Sequence, residues 1–217
     1  MAADLRTITE IRGMRGSPRR TIYLDGEVWR TVASPVLREL GLAPGAVVEP
    51  DDLDSRALSL EPTAARARAY RLLTYRDRSA AELTSKLLAD GYPESVVSEL
   101  VADLMRTGLV DDDRFAESLA ASLISVRGFG RARALREMAR KGIPDELAVK
   151  VLDELAPEHI EHDRARAAAE RLVRPGDSVD RLAARLVRRG FSFTDALDAA
   201  VAALADPSFR PDSADPF

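Results

Sequence analysis

Residues 79–92 read SAAELTSKLLADGY. Ser79 is a good helix N-cap, and Glu82 three positions later completes a capping box. Leu83, Leu87 and Leu88 fall on one helical face. Gly91 supplies a residue that can turn left-handed and stop the helix. Residues 130–143, GRARALREMARKGI, repeat the layout with Gly130 at the start, Ala134, Met138 and Ala139 as the apolar stripe, and Gly142 as the stop. Residues 178–191, SVDRLAARLVRRGF, repeat it with Ser178, then Leu182, Leu186 and Val187, then Gly190. An apolar residue follows each stop: Tyr92, Ile143 and Phe191. Start and stop are twelve positions apart each time, and the stops lie 51 and 48 positions apart. A period near fifty is the mark of a repeat architecture whose units stack.

Two further helices flank each of these. The preceding ones are expected at 64–75, 112–126 and 158–173, the following ones at 94–107, 145–155 and 194–204. Val96, Val97, Leu100, Val101, Leu104 and Met105 carry the two-on, two-off spacing of an amphipathic helix. The first sixty residues read differently. Arg20–Leu24 and Glu27–Val32 are strand-like, with Asp25-Gly26 between them in the manner of a type I′ hairpin. Thr7–Ile11 offers a third strand, Ser34–Leu40 a short helix and Val47-Val48 a last extended pair. The expected architecture is mainly α: three tandem three-helix repeats behind a small β-rich N-terminal module. The boundaries fall at 1–62 for the β module, 63–110, 111–157 and 158–206 for the repeats, and 207–217 for a disordered tail. A module of sixty residues is near the lower limit of independent stability and is expected to lean on the first repeat.

Composition narrows the function. The chain has 217 residues and no cysteine, which removes disulfides, thiolate zinc sites and cysteine nucleophiles. His159 and His162 are the only imidazoles. No run approaches the ~20 apolar residues of a membrane span, and residues 1–12 lack the apolar core of a signal peptide, so a cytoplasmic location is expected. Asp111-Asp112-Asp113 could hold magnesium, but its place before a helix favours N-terminal capping. His159, His162 and Asp163 could clip a metal, but they sit in a polar first turn with Glu158 and Glu161 and read as surface. Gly128-Phe129-Gly130-Arg131 resembles a phosphate nest faintly, and Gly130 reads better as a helix start. Ser122 and Ser125 have no histidine placed to activate them. With no nucleophile–base pair, Walker loop or dinucleotide fingerprint, the sequence reads as a non-enzymatic binder without a cofactor.

The net charge is −4, yet 29 of the 32 basic residues are arginine and they cluster. Arg127, Arg131, Arg133, Arg136, Arg140 and Lys141 stand against Glu137 alone, while the helices that follow each repeat's middle helix are acidic. Recurrence of this segregation points to a charged groove that focuses a partner. Arg127, Arg131, Arg133, Arg136 and Lys141 in the second repeat, with Arg181, Arg185, Arg188 and Arg189 in the third, are the expected contact residues. Short helices joined by glycine turns also admit a helix–turn–helix-like DNA binder, against which the net charge counts. An enzyme built on His159 and His162 is the third reading.

The residues resemble the RecX family, bacterial regulators of the RecA recombinase. Arg66 to Ser79 with Glu82, Leu83, Leu87 and Gly91 is similar to the family's first repeat. Gly108-Leu109-Val110-Asp111-Asp112 with Phe115-Ala116 matches its most recognisable motif, and Leu135, Lys141, Gly142 and Ile143 match the Lys-Gly-Ile ending. Thr21 to Glu27 resembles the β extension of many members, and the third repeat departs most. The resemblance implies a curved rod of three-helix units. It implies a monomer that binds RecA, above all the RecA filament on single-stranded DNA, with weak direct DNA contact possible. The action it implies is inhibition of strand exchange and ATPase output in control of recombination, repair and the SOS response.

Overall fold

The structure, a computed structural model, describes residues 4–13 and 17–205. The expected tail lies outside them. The chain divides into two compact units, residues 1–111 and 112–217.

Unit 1 begins with a sheet of strands β1 (Arg6–Arg12), β2 (Arg19–Leu24), β3 (Glu27–Ala33) and β4 (Val47–Val48), antiparallel in the order β3-β2-β1-β4. The hairpin turn forms where Asp25-Gly26 predicts it. Both residues have positive φ, +50° and +87°, as a type I′ turn requires. Thr7 donates its backbone N–H to the Asp25 carboxylate at 3.0 Å, and Gly26 donates its own to Thr9 Oγ1 at 2.9 Å. The hairpin tip is thereby tied to β1.

Four helices complete the unit: α1 (Ser34–Leu40), between β3 and β4, then α2 (Pro50–Tyr75), α3 (Ala80–Ala89) and α4 (Glu94–Arg106). The expected division at 62/63 falls inside α2, which runs unbroken for 26 residues with Pro62 within it. An internal proline removes one helical hydrogen bond and costs about 3 kcal/mol in isolation. Packing offsets that cost here. Ala57, Ala65 and Ala69 of α2 are fully buried in one core with Ile8, Ile22 and Val32 of the sheet and Leu83, Leu87 and Leu104 of α3 and α4. Beside the proline, Glu61 accepts two bonds from Arg30 Nη2 on β3, at 2.9 and 3.0 Å, and Arg30 Nη1 reaches Asp54 at 3.0 Å. Sheet and first helices thus share a helix, a core and a buried ion pair.

Unit 2 holds α5 (Asp112–Ala121) with a π-helical turn at Ser122–Val126, then α6 (Arg131–Arg140), α7 (Asp145–Leu155), α8 (Glu161–Leu172), α9 (Val179–Arg189) and α10 (Phe193–Ala205). Helices α5–α7 enclose one core around Leu123, Met138 and Leu152, and α8–α10 enclose another around Leu182, Leu186 and Phe191. The three quoted stretches close alike. Gly91, Gly142 and Gly190 have φ of +95°, +75° and +97°. The next residue in each case, Tyr92, Ile143 or Phe191, is buried and donates its N–H back to the carbonyl of Leu87, Met138 or Leu186 at 3.1–3.3 Å. That is the Schellman closure, with its apolar residue on the core side. The fold is therefore mainly helical, with repeated three-helix units behind an N-terminal sheet.

Candidate functional site

The arginine-rich stretches of unit 2 meet at the loop 127–130 and the end of α9. Here two glycines bring backbones together. Gly130 donates its N–H to the Arg189 carbonyl at 2.9 Å. A Cβ added at Gly130 would lie 2.4 Å from the Gly190 carbonyl carbon, and one at Gly190 would lie 2.4 Å from Arg133 Cβ. Arginines lace the seam. Arg133 donates from Nη1 to the Arg188 carbonyl at 3.1 Å, Arg189 from Nη1 to the Arg127 carbonyl at 2.7 Å, and Arg164 of α8 from Nη2 to the Phe129 carbonyl at 2.6 Å. The Phe129 ring is shared, with the Arg133 guanidinium 4.0 Å and that of Arg189 6.0 Å from its centroid.

Nine residues are expected at the contact surface, and the structure divides them. Arg131 is engaged internally: its guanidinium reaches Asp153 on α7 at 2.5 Å and its backbone N–H reaches the buried Glu161 at 2.7 Å. Glu161 is in turn ion-paired to Arg164. Arg185 is paired with Asp177, and both side chains are largely shielded from solvent. Arg133 and Arg189 are half-buried in the seam, and Lys141 is half-buried at the C-terminal end of α6. Arg127, Arg136, Arg181 and Arg188 are exposed. None of those four has an ion-pair partner among the described residues. Glu137, the one acid of α6, lies 3.9 Å from Arg133 and 3.5 Å from Arg140.

Sequence reasoning passed over Arg171. It lines a cleft of about 220 Å3 with Val126, Arg127 and Arg189, and no carboxylate lines that cleft. Its α8 neighbours Arg164 and Glu161 belong to the seam, and nothing in the local pattern sets Arg171 apart from them. The π-helical turn that ends α5 also escaped the sequence; it projects Val126 and Arg127 to the surface. Such turns occur often at functional sites.

The other candidate chemistries fall into structural roles. Asp112 and Asp113 occupy the first turn of α5, as capping predicts. His162 Nδ1 lies 3.3 Å from Asp195 Oδ1, linking α8 to α10. The amides of Arg127 and Phe129 donate to Ser122 and Leu123, so they do not form an open nest. Among the described residues no three His, Asp or Glu side chains are grouped to hold a metal, and no helix is long and apolar enough to cross a membrane.

Residues 65–104 match the family model for the first three-helix domain of RecX, and residues 111–152 match that for the second. The regulatory protein RecX of Mycobacterium sp. strain JLS is 39% identical over 155 residues, covering 65% of this chain and 82% of its own. The chain belongs to the RecX family. The RecX of Mycolicibacterium smegmatis is 32% identical over 185 residues, 77% of this chain and 96% of that one. In fold, a crystal structure of regulatory protein RecX matches with TM-score 0.55 and 24% identity over 88% of this chain and 96% of that one. RecX from Lactobacillus salivarius matches with TM-score 0.57 and 22% identity over 67% and 97%. The first match thus runs from the C-terminal part of α2 into α4 and the second from α5 into α7, helices that unit 1 and unit 2 each pack around cores of their own.

Proposed function

We propose that this protein is a non-catalytic regulator that binds RecA, in particular its filament on single-stranded DNA, and lowers the filament's ATPase and strand-exchange output. RecX membership supports the regulatory role. The observation that carries the contact surface is that, of the nine expected residues, four are exposed arginines without an ion pair, whereas Arg131 and Arg185 are held by carboxylates. Arg127, Arg136, Arg181 and Arg188 form the contact set, with Arg171 added and Arg189 at its edge. Arg131 and Arg185 contribute by holding α6 and α9 in place. Arginine's planar fork suits carboxylates of a protein and phosphates of DNA alike. The reading is tested by RecA's DNA-dependent ATPase with increasing protein and by binding titrations on preformed filaments at two salt concentrations. Arg136→Glu with Arg188→Glu is expected to weaken filament binding about tenfold or more, ~1.4 kcal/mol, with an unchanged melting curve. Matched reversals at Arg6 and Arg12 are expected to matter less. An unaffected ATPase rate at saturating protein removes the reading. Tight, steeply salt-dependent binding to naked duplex without RecA would favour a DNA-binding protein instead.

A further inference from the structure

Unit 1 contains a second cationic feature, remote in sequence from the surface proposed above. Where α1 leaves the sheet, Pro35 and Arg38 face Arg68 and Arg71 of α2 and Tyr92 after α3, around a cleft of about 270 Å3. Its walls are fixed. Ser34 donates from both its backbone N–H and its hydroxyl to the Pro18 carbonyl, each at 2.7 Å. Arg56 of α2 donates to the Leu40 carbonyl that ends α1, at 3.3 Å. Arg68 Nε reaches the buried Asp90 at 2.5 Å, and the Tyr92 hydroxyl donates to the Ala64 carbonyl at 3.2 Å.

Asp90 is the one carboxylate in the lining and Arg68 already holds it. Arg38 and Arg71 are exposed and have no ion-pair partner among the described residues. Both line the same cleft, so an anion seated there would face two guanidiniums at once. The remaining wall is Pro18, Ala33, Ser34, Pro35 and Tyr92, of which the half-buried Pro18 and Pro35 supply the accessible apolar surface. A phosphodiester backbone would leave that wall unused. Tyr92 is buried to 4% exposure and presents no open face on which a base could stack, the usual means of holding single strands. The cleft is also smaller than the ~300–1,000 Å3 typical of small-molecule sites. One or two side chains of a peptide fit it better.

We propose that this cleft docks an acidic segment of a protein partner in which a carboxylate and an apolar side chain are neighbours, the carboxylate between Arg38 and Arg71 and the apolar group against Pro18 and Pro35. The inference does not rest on the RecA reading, and its test contains neither RecA nor DNA-bound filament. The full chain is titrated by fluorescence anisotropy with a labelled peptide of alternating aspartate and leucine. A peptide of alternating aspartate and serine and a thymidine oligonucleotide are titrated in parallel. The leucine peptide is expected to bind saturably and the serine peptide several-fold more weakly. Arg38→Glu with Arg71→Glu is expected to weaken the leucine peptide about tenfold or more, as a rim of two charges permits. Arg166→Glu with Arg174→Glu, two exposed cations outside the contact set proposed above, is expected to leave it unchanged. Should the first reversal lower the melting temperature, Arg38→Gln with Arg71→Gln makes the same comparison without reversed charge. No saturable binding, equal binding of both peptides, equal losses from the two pairs of variants, or an effect of the cleft variants on the oligonucleotide alone would each overturn the proposal.

Discussion

The two units hold their parts together by different means. In unit 1 the sheet and α1–α4 share one core rich in large aliphatic side chains, and one buried ion pair spans it. In unit 2 the helices enclose two separate cores, and eight of the eleven buried residues around α8–α10 are alanine. Alanine lets helices approach but buries little area, and apolar area is what stabilises at roughly 25 cal/mol per Å2. The seam in unit 2 relies instead on glycine backbone contact and on arginines bonded to carbonyls. An arginine count therefore overstates the cations that unit 2 has free for a partner, because part of the count is scaffold.

The ion pair of unit 1 is the place where the comparison can be broken most severely. Arg30→Met would leave Glu61, 1% exposed, without the Nη2 donor that serves both of its oxygens. Removing one member of a buried pair typically costs about 3–5 kcal/mol, and a loss near ~4 kcal/mol is expected at pH 7. Burial already raises the Glu61 pKa above its ordinary value, against the opposing pull of Arg30. Without Arg30 that push is unopposed. A carboxyl with a raised folded pKa contributes stability that is full below its unfolded pKa and is lost as pH rises through the folded one. The defect of Arg30→Met should therefore shrink as pH falls from 7 toward the usual carboxylate range. Arg30→Met with Glu61→Leu should recover most of the loss. Urea unfolding at pH 7 and at pH 5 reads both effects; a defect that is equal at the two pH values would mean that Glu61 is not the charge left behind.

The seam of unit 2 should respond to a smaller change by a smaller amount. Gly130 has an ordinary φ of −71°, so Gly130→Ala introduces a Cβ without backbone strain at the substituted residue. That Cβ meets the Gly190 backbone at 2.4 Å and must push it away. Overpacking of this kind costs about 1–3 kcal/mol, and a loss of roughly 2 kcal/mol is expected. Gly45→Ala in unit 1 is the control: its φ is +89° but nothing lies within 4 Å of the new Cβ. It carries only the strain of a left-handed alanine, about 1 kcal/mol. If Gly130→Ala melts like the parent, the close approach of the two backbones is not what joins these helices.

How far these features could be read in advance follows from their range. The capping serines, closing glycines and Asp25-Gly26 hairpin are local, and each forms where its residues stand. The expected boundary at 62/63 falls within α2 for a reason of range. The bond that Pro62 forfeits is local, while the Arg30–Glu61 pair and the sheet core that offset it join residues more than thirty positions apart. The same holds for the arginines. Sequence shows that α6 has one acid, Glu137, but not that Asp153 lies opposite Arg131 or that Asp177 turns toward Arg185. Arg136 and Arg188 were legible as exposed cations because nothing distant intervenes.

The smallest effect tests whether Arg185 belongs to the scaffold. Asp177, in the loop before α9, accepts from the Arg174 backbone N–H at 2.8 Å and is ion-paired to Arg185. The bond from Arg185 holds the Asp177 carboxyl below its ordinary pKa, with burial opposing. The sign is opposite to that of Glu61. A depressed folded pKa contributes stability that is present above the unfolded pKa, near ~3.9 for aspartate, and is lost as pH falls through the folded value. Wild type should therefore melt slightly above Asp177→Asn at pH 7 and pH 5, and the gap should narrow only below about pH 4. Arg185→Gln should show the same small deficit at neutral pH and add little to Asp177→Asn in the double variant, because the two single changes remove one interaction. Filament binding by Arg185→Gln should stay near wild type. If instead the gap is flat down to pH 3 and Arg185→Gln weakens filament binding as strongly as Arg188→Gln, then Arg185 is free to leave Asp177, and the boundary between scaffold and contact arginines in unit 2 moves by one residue along α9.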